Sequence, residues 1–307
     1  MATLAGRTMV VTGGSRGIGL AIAKRAAADG ANVVLAAKTA TPHPKLPGTI
    51  FTAAKECEEA GAKKVLPIQC DIMDDEATQR MVDATVAEFG GIDILINNAS
   101  AIDNSGTLEL RAKKYELMHS INGRGTFWTS KLCLPHLLKG TNPHVLNLSP
   151  PIDLDPRWFK LGGVAYTMAK YNMSMSALGM AEEFRGQVAF NCLWPRTAIA
   201  TAAIKMLAGD LGVSASRSVD IMADSAHWIL TQPHTSCTGN TFIDDEVLTQ
   251  NCGMSEADLS KYRMSSLVPL MPDFYVGDPG TLEKYIDGAR KMKGVVGAFT
   301  SKFGLGK

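Results

Sequence analysis

The chain has 307 residues, 46% of them apolar and 20% charged, with a formal net charge of +1. That length and apolar content suit one large α/β unit with a sizeable core and exclude a disordered chain. The balanced charge argues against nucleic acid or an anionic membrane surface as a partner, and no charge-free apolar run is long enough to span a membrane.

In chain order, apolar runs of strand length alternate with amphipathic helical patterns. Strands are predicted at 8–12, 32–37, 64–70, 92–97, 144–149 and 188–194. Helices are predicted at 18–30, 49–61, 74–90, near 113–138, at 164–185 and at 217–231. The helix at 74–90 opens on acidic residues, as the helix dipole favours. This alternation predicts a doubly wound parallel sheet, a Rossmann fold with helices on both faces, and ligands at the carboxyl ends of its strands.

Two segments break the rhythm. The stretch 39–48 holds Pro42, Pro44 and Pro47 and is expected to be a stiff loop beside the second strand. Beyond residue 250 the alternation stops. The expectation is one domain over 1–250 and an extension over 251–307, packed on the domain or on a neighbouring subunit, with a terminal helix near 281–293.

The six cysteines form no Cys-x-x-Cys and have no histidine at zinc-ligand spacing, so free thiols and no metal site are expected. The N-terminus lacks a secretory apolar region, and the last three residues are not a Ser-Lys-Leu address. The cytoplasm is the expected compartment, with mitochondrial and peroxisomal locations left open.

The first strand runs into Thr-Gly-x-x-x-Gly-x-Gly, with Gly13, Gly17 and Gly19, and then into a helix. Glycines there let the backbone approach a pyrophosphate, and the helix N-terminus offers free N–H groups to the anion. An acidic residue at the end of the second strand would bind the ribose hydroxyls of NAD. This chain has Ala36, Ala37 and Lys38 instead, and Lys38 and Arg16 are placed to pair with a 2′-phosphate. NADP is therefore expected over NAD.

Taken together, "TGGSRGIG" (12–19), "CDI" (70–72), "NNAS" (97–100), "SINGRGTF" (120–127), "YTMAK" (166–170) and "NCLWPRTAIAT" (191–201) resemble the short-chain dehydrogenase/reductase family over roughly residues 5–250. The resemblance implies that Gly13, Ser15, Arg16, Ile18 and Gly19 line the phosphate loop, and that Asp71 and Ile72 meet the adenine. It places Asn98 and Ala99 beside the cofactor ribose, and Thr197 to Thr201 near the nicotinamide carboxamide and phosphate. It also implies a homo-oligomer, dimer or tetramer. Two departures stand out: Ser100 and Arg196 each occupy a place where the family usually has glycine.

The chemistry rests on Tyr166 and Lys170, which stand on one helix face. A free tyrosine titrates near ~10, and an adjacent ammonium favours the phenolate, as general acid–base work on a carbonyl or alcohol oxygen requires. The family implies that Lys170 also holds the nicotinamide ribose and that Asn122 links to Lys170 through water in a proton relay; a helix kink or local cap is the simpler account of Asn122. The family usually ends the fifth strand with two small hydroxylated residues, the second polarising the substrate oxygen. Here Ser149 takes the first place and Pro150 the second, which leaves open whether Ser149 completes the site.

The apolar segment 197–209, together with Trp158, Phe159 and Trp194, suggests a lipid, terpenoid or steroid-like substrate, though core or subunit contacts account for these residues equally well. Met173, Met175 and Met180 read as packing on the long helix. The resulting expectation is an NADP-dependent alcohol/carbonyl oxidoreductase. A dinucleotide-binding module with little activity and a reductase of enoyl-thioester C=C bonds are the alternatives.

Overall fold

The computed structural model describes residues 2–42 and 47–291. Seven parallel strands form one sheet in the order β3-β2-β1-β4-β5-β6-β7. They are β1 (Thr8–Thr12), β2 (Asn32–Ala37), β3 (Lys64–Gln69), β4 (Ile94–Asn97), β5 (His144–Asn147), β6 (Ala189–Trp194) and β7 (Thr241–Ile243). All five residues of β1 are buried, as are all four of β4 and of β5. A parallel sheet covered on both faces reads as a continuous apolar run for this reason. The predicted doubly wound fold is the observed one.

The helices are α1 (Gly17–Ala27), α2 (Ile50–Ala60), α3 (Asp75–Phe89), α4 (Ala112–Met118), α5 (Thr126–Leu137), α6 (Pro156–Gly162), α7 (Val164–Glu183), α8 (Ala202–Ser214), α9 (Asp220–Thr231), the single turn α10 (Asp244–Glu246) and α11 (Pro279–Lys291). One core layer places Ile22 of α1 and Ile229 of α9 against Val11 and Leu35. The opposite layer places Met81 of α3 and Cys133 of α5 against Val10 and Leu95. A third cluster is aromatic, with Trp158, Tyr166, Tyr171, Trp194 and Tyr275 at its centre.

The six predicted strands appear, with ends shifted by two residues at most. Helices α6 and α8 and strand β7 are additions. The predicted helix near 113–138 is interrupted by a π-helical turn, His119–Gly125, between α4 and α5. Of the proline-rich stretch, residues 43–46 with Pro44 lie outside the described residues, as do residues 292–307, which include the last two of the predicted terminal helix. All six cysteines are free, and five are buried. Among the described residues, no helix is long and apolar enough to cross a membrane.

The strand order reverses between β1 and β4, because β2 and β3 lie to one side of β1 and β4 to β7 to the other. Loops leaving β1 and β4 diverge there and open a crevice at the carboxyl edge of the sheet.

Candidate active site

Thr12, at the end of β1, locks the two diverging loops together. Its Oγ1 accepts from Asn98 N at 3.0 Å and Ala99 N at 3.1 Å and donates to Ile96 O at 3.2 Å. Asn98 Nδ2 returns the link, donating to Thr12 O at 2.9 Å and Gly13 O at 3.1 Å. The glycines are required by this closeness. Gly13 has φ 64°, and a Cβ there would sit 2.9 Å from Ala99 Cα; one on Gly19 would sit 2.4 Å from Asn98 Nδ2. Asn98, expected beside a ribose, is thus also the clamp that shapes the loop.

Arg16 precedes α1 in extended conformation, and no side chain caps that helix. Its first N–H groups are left for a ligand in the crevice. Arg16 donates through Nη2 to Gly48 O at 2.8 Å, while its buried Nε has no partner among the described residues. Lys38 pairs with Asp71 at 2.8 Å, so two residues expected at opposite ends of the adenosine are brought together.

These groups line a cavity of about 1170 Å³. Its dinucleotide end includes Gly13, Ser15, Arg16, Gly17, Ile18, Lys38, Asp71, Ile72, Asn98 and Ala99. The other end carries Tyr166, Lys170, Trp194 and an apolar wall, and Thr201 lines the cavity beside Gly17. Gly19, Asn122, Ser149 and Thr197 are not on the lining. Gly19 packs beneath the loop, against Asn98. Thr201 caps α8 and lies opposite Gly17. Thr197 pairs with Pro272 in an isolated antiparallel bridge.

Gly163, with φ 82°, turns the chain into α7 and puts Tyr166 in its first turn. Lys170, one turn on, donates from Nζ to Leu148 O at 2.8 Å and lies 5.2 Å from the Trp194 ring centroid. Both are buried. Burial raises the Tyr166 phenol well above its ordinary value, assisted by Tyr275 and Asp273. Burial likewise lowers the Lys170 ammonium to about 7, against the opposing pull of Asp273 and Cys192. Desolvation dominates both shifts, so the phenol moves up here, whereas the spacing alone suggested that the neighbouring ammonium would bring it down.

Asn122 sits in the π-helical turn. Its amide accepts from Ala101 N at 2.8 Å and donates to Ala101 O at 2.9 Å, pinning the loop after β4. The side chain thus ties the π-helical turn to that loop. A second buried network, Asn97 Nδ2 to Asn147 Oδ1 at 2.9 Å and Asn147 Nδ2 to Met173 O at 3.0 Å, holds α7 against the sheet.

Ser149 is fully buried, and its Oγ has no hydrogen-bond partner among the described residues. It lies off the cavity lining and near the thiol of Cys192 in β6, whose rise to about 11 by burial it opposes together with Ser174. Pro150 follows, its carbonyl accepting from Ser174 Oγ at 2.5 Å. Two aromatics expected near the substrate are also elsewhere. Trp158 is core, donating to Asp153 Oδ2 at 2.9 Å, and Phe159 meets Tyr171 edge-on at 5.9 Å. Trp194 alone of the three lines the cavity. On α7, Met173 and Met180 pack inward, but Met175 is exposed.

Residues 271–275, read from sequence only as irregular, form a strap across the exit of β6. Ala198 N donates to Met271 O at 2.9 Å, Asp273 N to Arg196 O at 3.0 Å and Trp194 Nε1 to Phe274 O at 2.9 Å. Met271, Asp273, Phe274 and, from α11, Leu282 and Ile286 thereby join the cavity wall. The signal in the sequence was one carboxylate within the apolar run "LMPDFY". Arg196, where the family usually has glycine, is held by both carboxylate oxygens of Asp245 at 2.8 Å and by Glu246.

The sequence profile described as short chain dehydrogenase matches residues 7–208. The chain belongs to the short-chain dehydrogenase family. It is therefore an oxidoreductase of a family that uses nicotinamide cofactors. Hydroxysteroid dehydrogenase-like protein 2 of Danio rerio is 55% identical over 299 residues, 97% of this chain and 70% of that protein. A crystal structure of a short chain dehydrogenase from Mycobacterium thermoresistibile is 50% identical, with a TM-score of 0.84 over 90% of this chain and 97% of that one. A short chain dehydrogenase from Burkholderia cenocepacia, solved in complex with NADP, is 25% identical, with a TM-score of 0.66 over 78% of this chain and 96% of that one.

Proposed function

We propose that this short-chain dehydrogenase is NADP(H)-dependent and moves hydride between the nicotinamide and an alcohol or carbonyl group of an apolar substrate, with Tyr166 as general acid/base. The observation that carries the reading is one continuous cavity with the glycine cradle at one end and Tyr166 and Lys170 at the other. The uncapped α1 terminus, the unpartnered Arg16 Nε and the glycines that exclude a Cβ fit a dinucleotide. Lys38 and Arg16, with no carboxylate ending β2, favour NADP over NAD. The wall formed by Ile204, Met206, Leu207, Met271, Leu282 and Ile286 favours a lipid, terpenoid or steroid-like substrate.

A bound nicotinamide supplies or accepts the hydride. In the reducing direction Tyr166, which burial keeps protonated, gives its proton to the carbonyl oxygen. Lys170, when charged, stabilises the phenolate that remains. A dimer or tetramer belongs to the same reading, with Phe127 on α5 and Met168, Met175 and Leu178 on α7 exposed as an apolar face.

A panel of ketones and alcohols followed by NADPH fluorescence tests this. Turnover by wild type, reduced about 10²- to 10⁴-fold in Tyr166→Phe, is expected. The retreat of Ser149 from the wall favours a second reading, a dinucleotide-binding module with little activity. Tight NADPH binding without turnover would establish that module, and a saturated thioester as the product would instead reveal C=C reduction.

A further inference from the structure

The place usually filled by a polarising hydroxyl is vacated here by two independent features. Ser149 is buried against Cys192, and Pro150 has no donor to offer. A carbonyl oxygen next to Tyr166 would then receive one donor rather than two, in a wall that includes the apolar Ile102, Trp194, Phe274 and Leu282.

We propose that the Asp273 carboxyl, delivered by the strap, is the second hydrogen-bond donor to the substrate oxygen beside Tyr166. The assignment rests on the carbonyl/alcohol reading above. Asp273 lies on the same cavity wall as Tyr166 and Lys170, half-buried, with its open side on the cavity. Its backbone is fixed by the bond to Arg196 O, and the bridge Thr197–Pro272 holds the residue before it. Phe274 N donates to Oδ1 at 2.7 Å, and Oδ2 makes no hydrogen bond among the described residues.

The groups that act on this carboxyl come from three directions. Lys170 and Tyr166 on α7, Tyr275 on the strap and Asp244 after β7 all interact with it electrostatically. Among the described residues Asp273 makes no ion pair, with Lys170 or any other cation. Burial raises the carboxyl to about 7, with Asp244 adding to the rise and Phe274 N and Lys170 opposing it. A carboxylic acid kept protonated near neutrality by an apolar site donates a hydrogen bond.

The chemistry balances with Asp273 unchanged. Hydride and its electron pair enter at the carbonyl carbon, the C=O π pair moves onto oxygen, and that oxygen takes its proton from Tyr166. Asp273 donates to the same oxygen as charge develops there and keeps its proton throughout.

Three variants assayed with NADPH and a ketone found by the panel decide the matter. Asp273→Ala is expected to lose about 100-fold in kcat with NADPH affinity retained. Asp273→Asn, which keeps an N–H donor at that place, is expected to recover most of the loss. Ser149→Ala is expected to lose far less than Asp273→Ala. Wild-type kcat in Asp273→Ala overturns the assignment, as does a folded Asp273→Asn no more active than the alanine variant. A greater loss in Ser149→Ala or Ser100→Ala than in Asp273→Ala overturns it too. If Tyr166→Phe is inert in the same assays, these failures leave the oxidoreductase reading standing; wild type without turnover removes that reading instead.

Discussion

The two ends of the cavity are built by different means. The cradle end is made where two loops meet through Thr12 and Asn98, and glycines allow them to touch. The tyrosine end is made from side chains gathered across long sequence distances, from α7, β6, α8, the strap and α11. Backbone construction tolerates little change, because a Cβ at Gly13 or Gly19 would meet the neighbouring loop. Side-chain construction can exchange one donor for another, as the pairing of a buried Ser149 with a cavity-facing Asp273 illustrates.

The contrast can be broken most severely at Gly13. Gly13→Ala forces a Cβ to 2.9 Å from Ala99 Cα at a φ of 64°, so NADPH affinity should fall by two orders of magnitude or more. Titration of NADPH fluorescence, with a thermal melt to separate misfolding from lost binding, measures it. Lys38→Ala touches only a side chain at the same end. NADP affinity should drop about tenfold while NAD affinity stays or improves, because one charge-assisted contact to a 2′-phosphate is removed. Equal loss for both cofactors would deny Lys38 that role.

A smaller effect comes from pH at the tyrosine end. Burial lowers Lys170 and raises Asp273, both to about 7. Raising the pH through that value strips the proton from each, so it removes the lysine's charge and the carboxyl's donor hydrogen together. The kcat for reduction should therefore fall several-fold between about pH 6.5 and about pH 8 and hold toward the acid side. A pH–rate profile at saturating substrate checks the sign.

The same division explains what was legible beforehand. The six strands and the glycine loop were readable because period, apolar runs and turn residues are local signals. Helix α6 is not among the expected elements, although Asp155 caps it and Pro156 occupies its first turn, where proline is tolerated. Strand β7 is only three residues long, and helix α8 is broken at Gly209, which has φ 63°. Tyr166 and Lys170 were readable from spacing on one helix. Asp273 was not, because it is brought near them by the strap's bonds to Arg196 and Ala198, which no local pattern encodes. Trp158 and Phe159 looked like substrate contacts for the converse reason: aromatic character alone does not say which side of a wall a ring occupies.

Transfer of deuterium from NADPH labelled at the nicotinamide C4 position to a ketone substrate tests the central claim most directly. The account predicts label on the carbinol carbon of the product with wild type and a rate lower by at least about 100-fold with Tyr166→Phe. Tight binding of the labelled cofactor by wild type with no label in any product, or undiminished transfer by Tyr166→Phe, would contradict it.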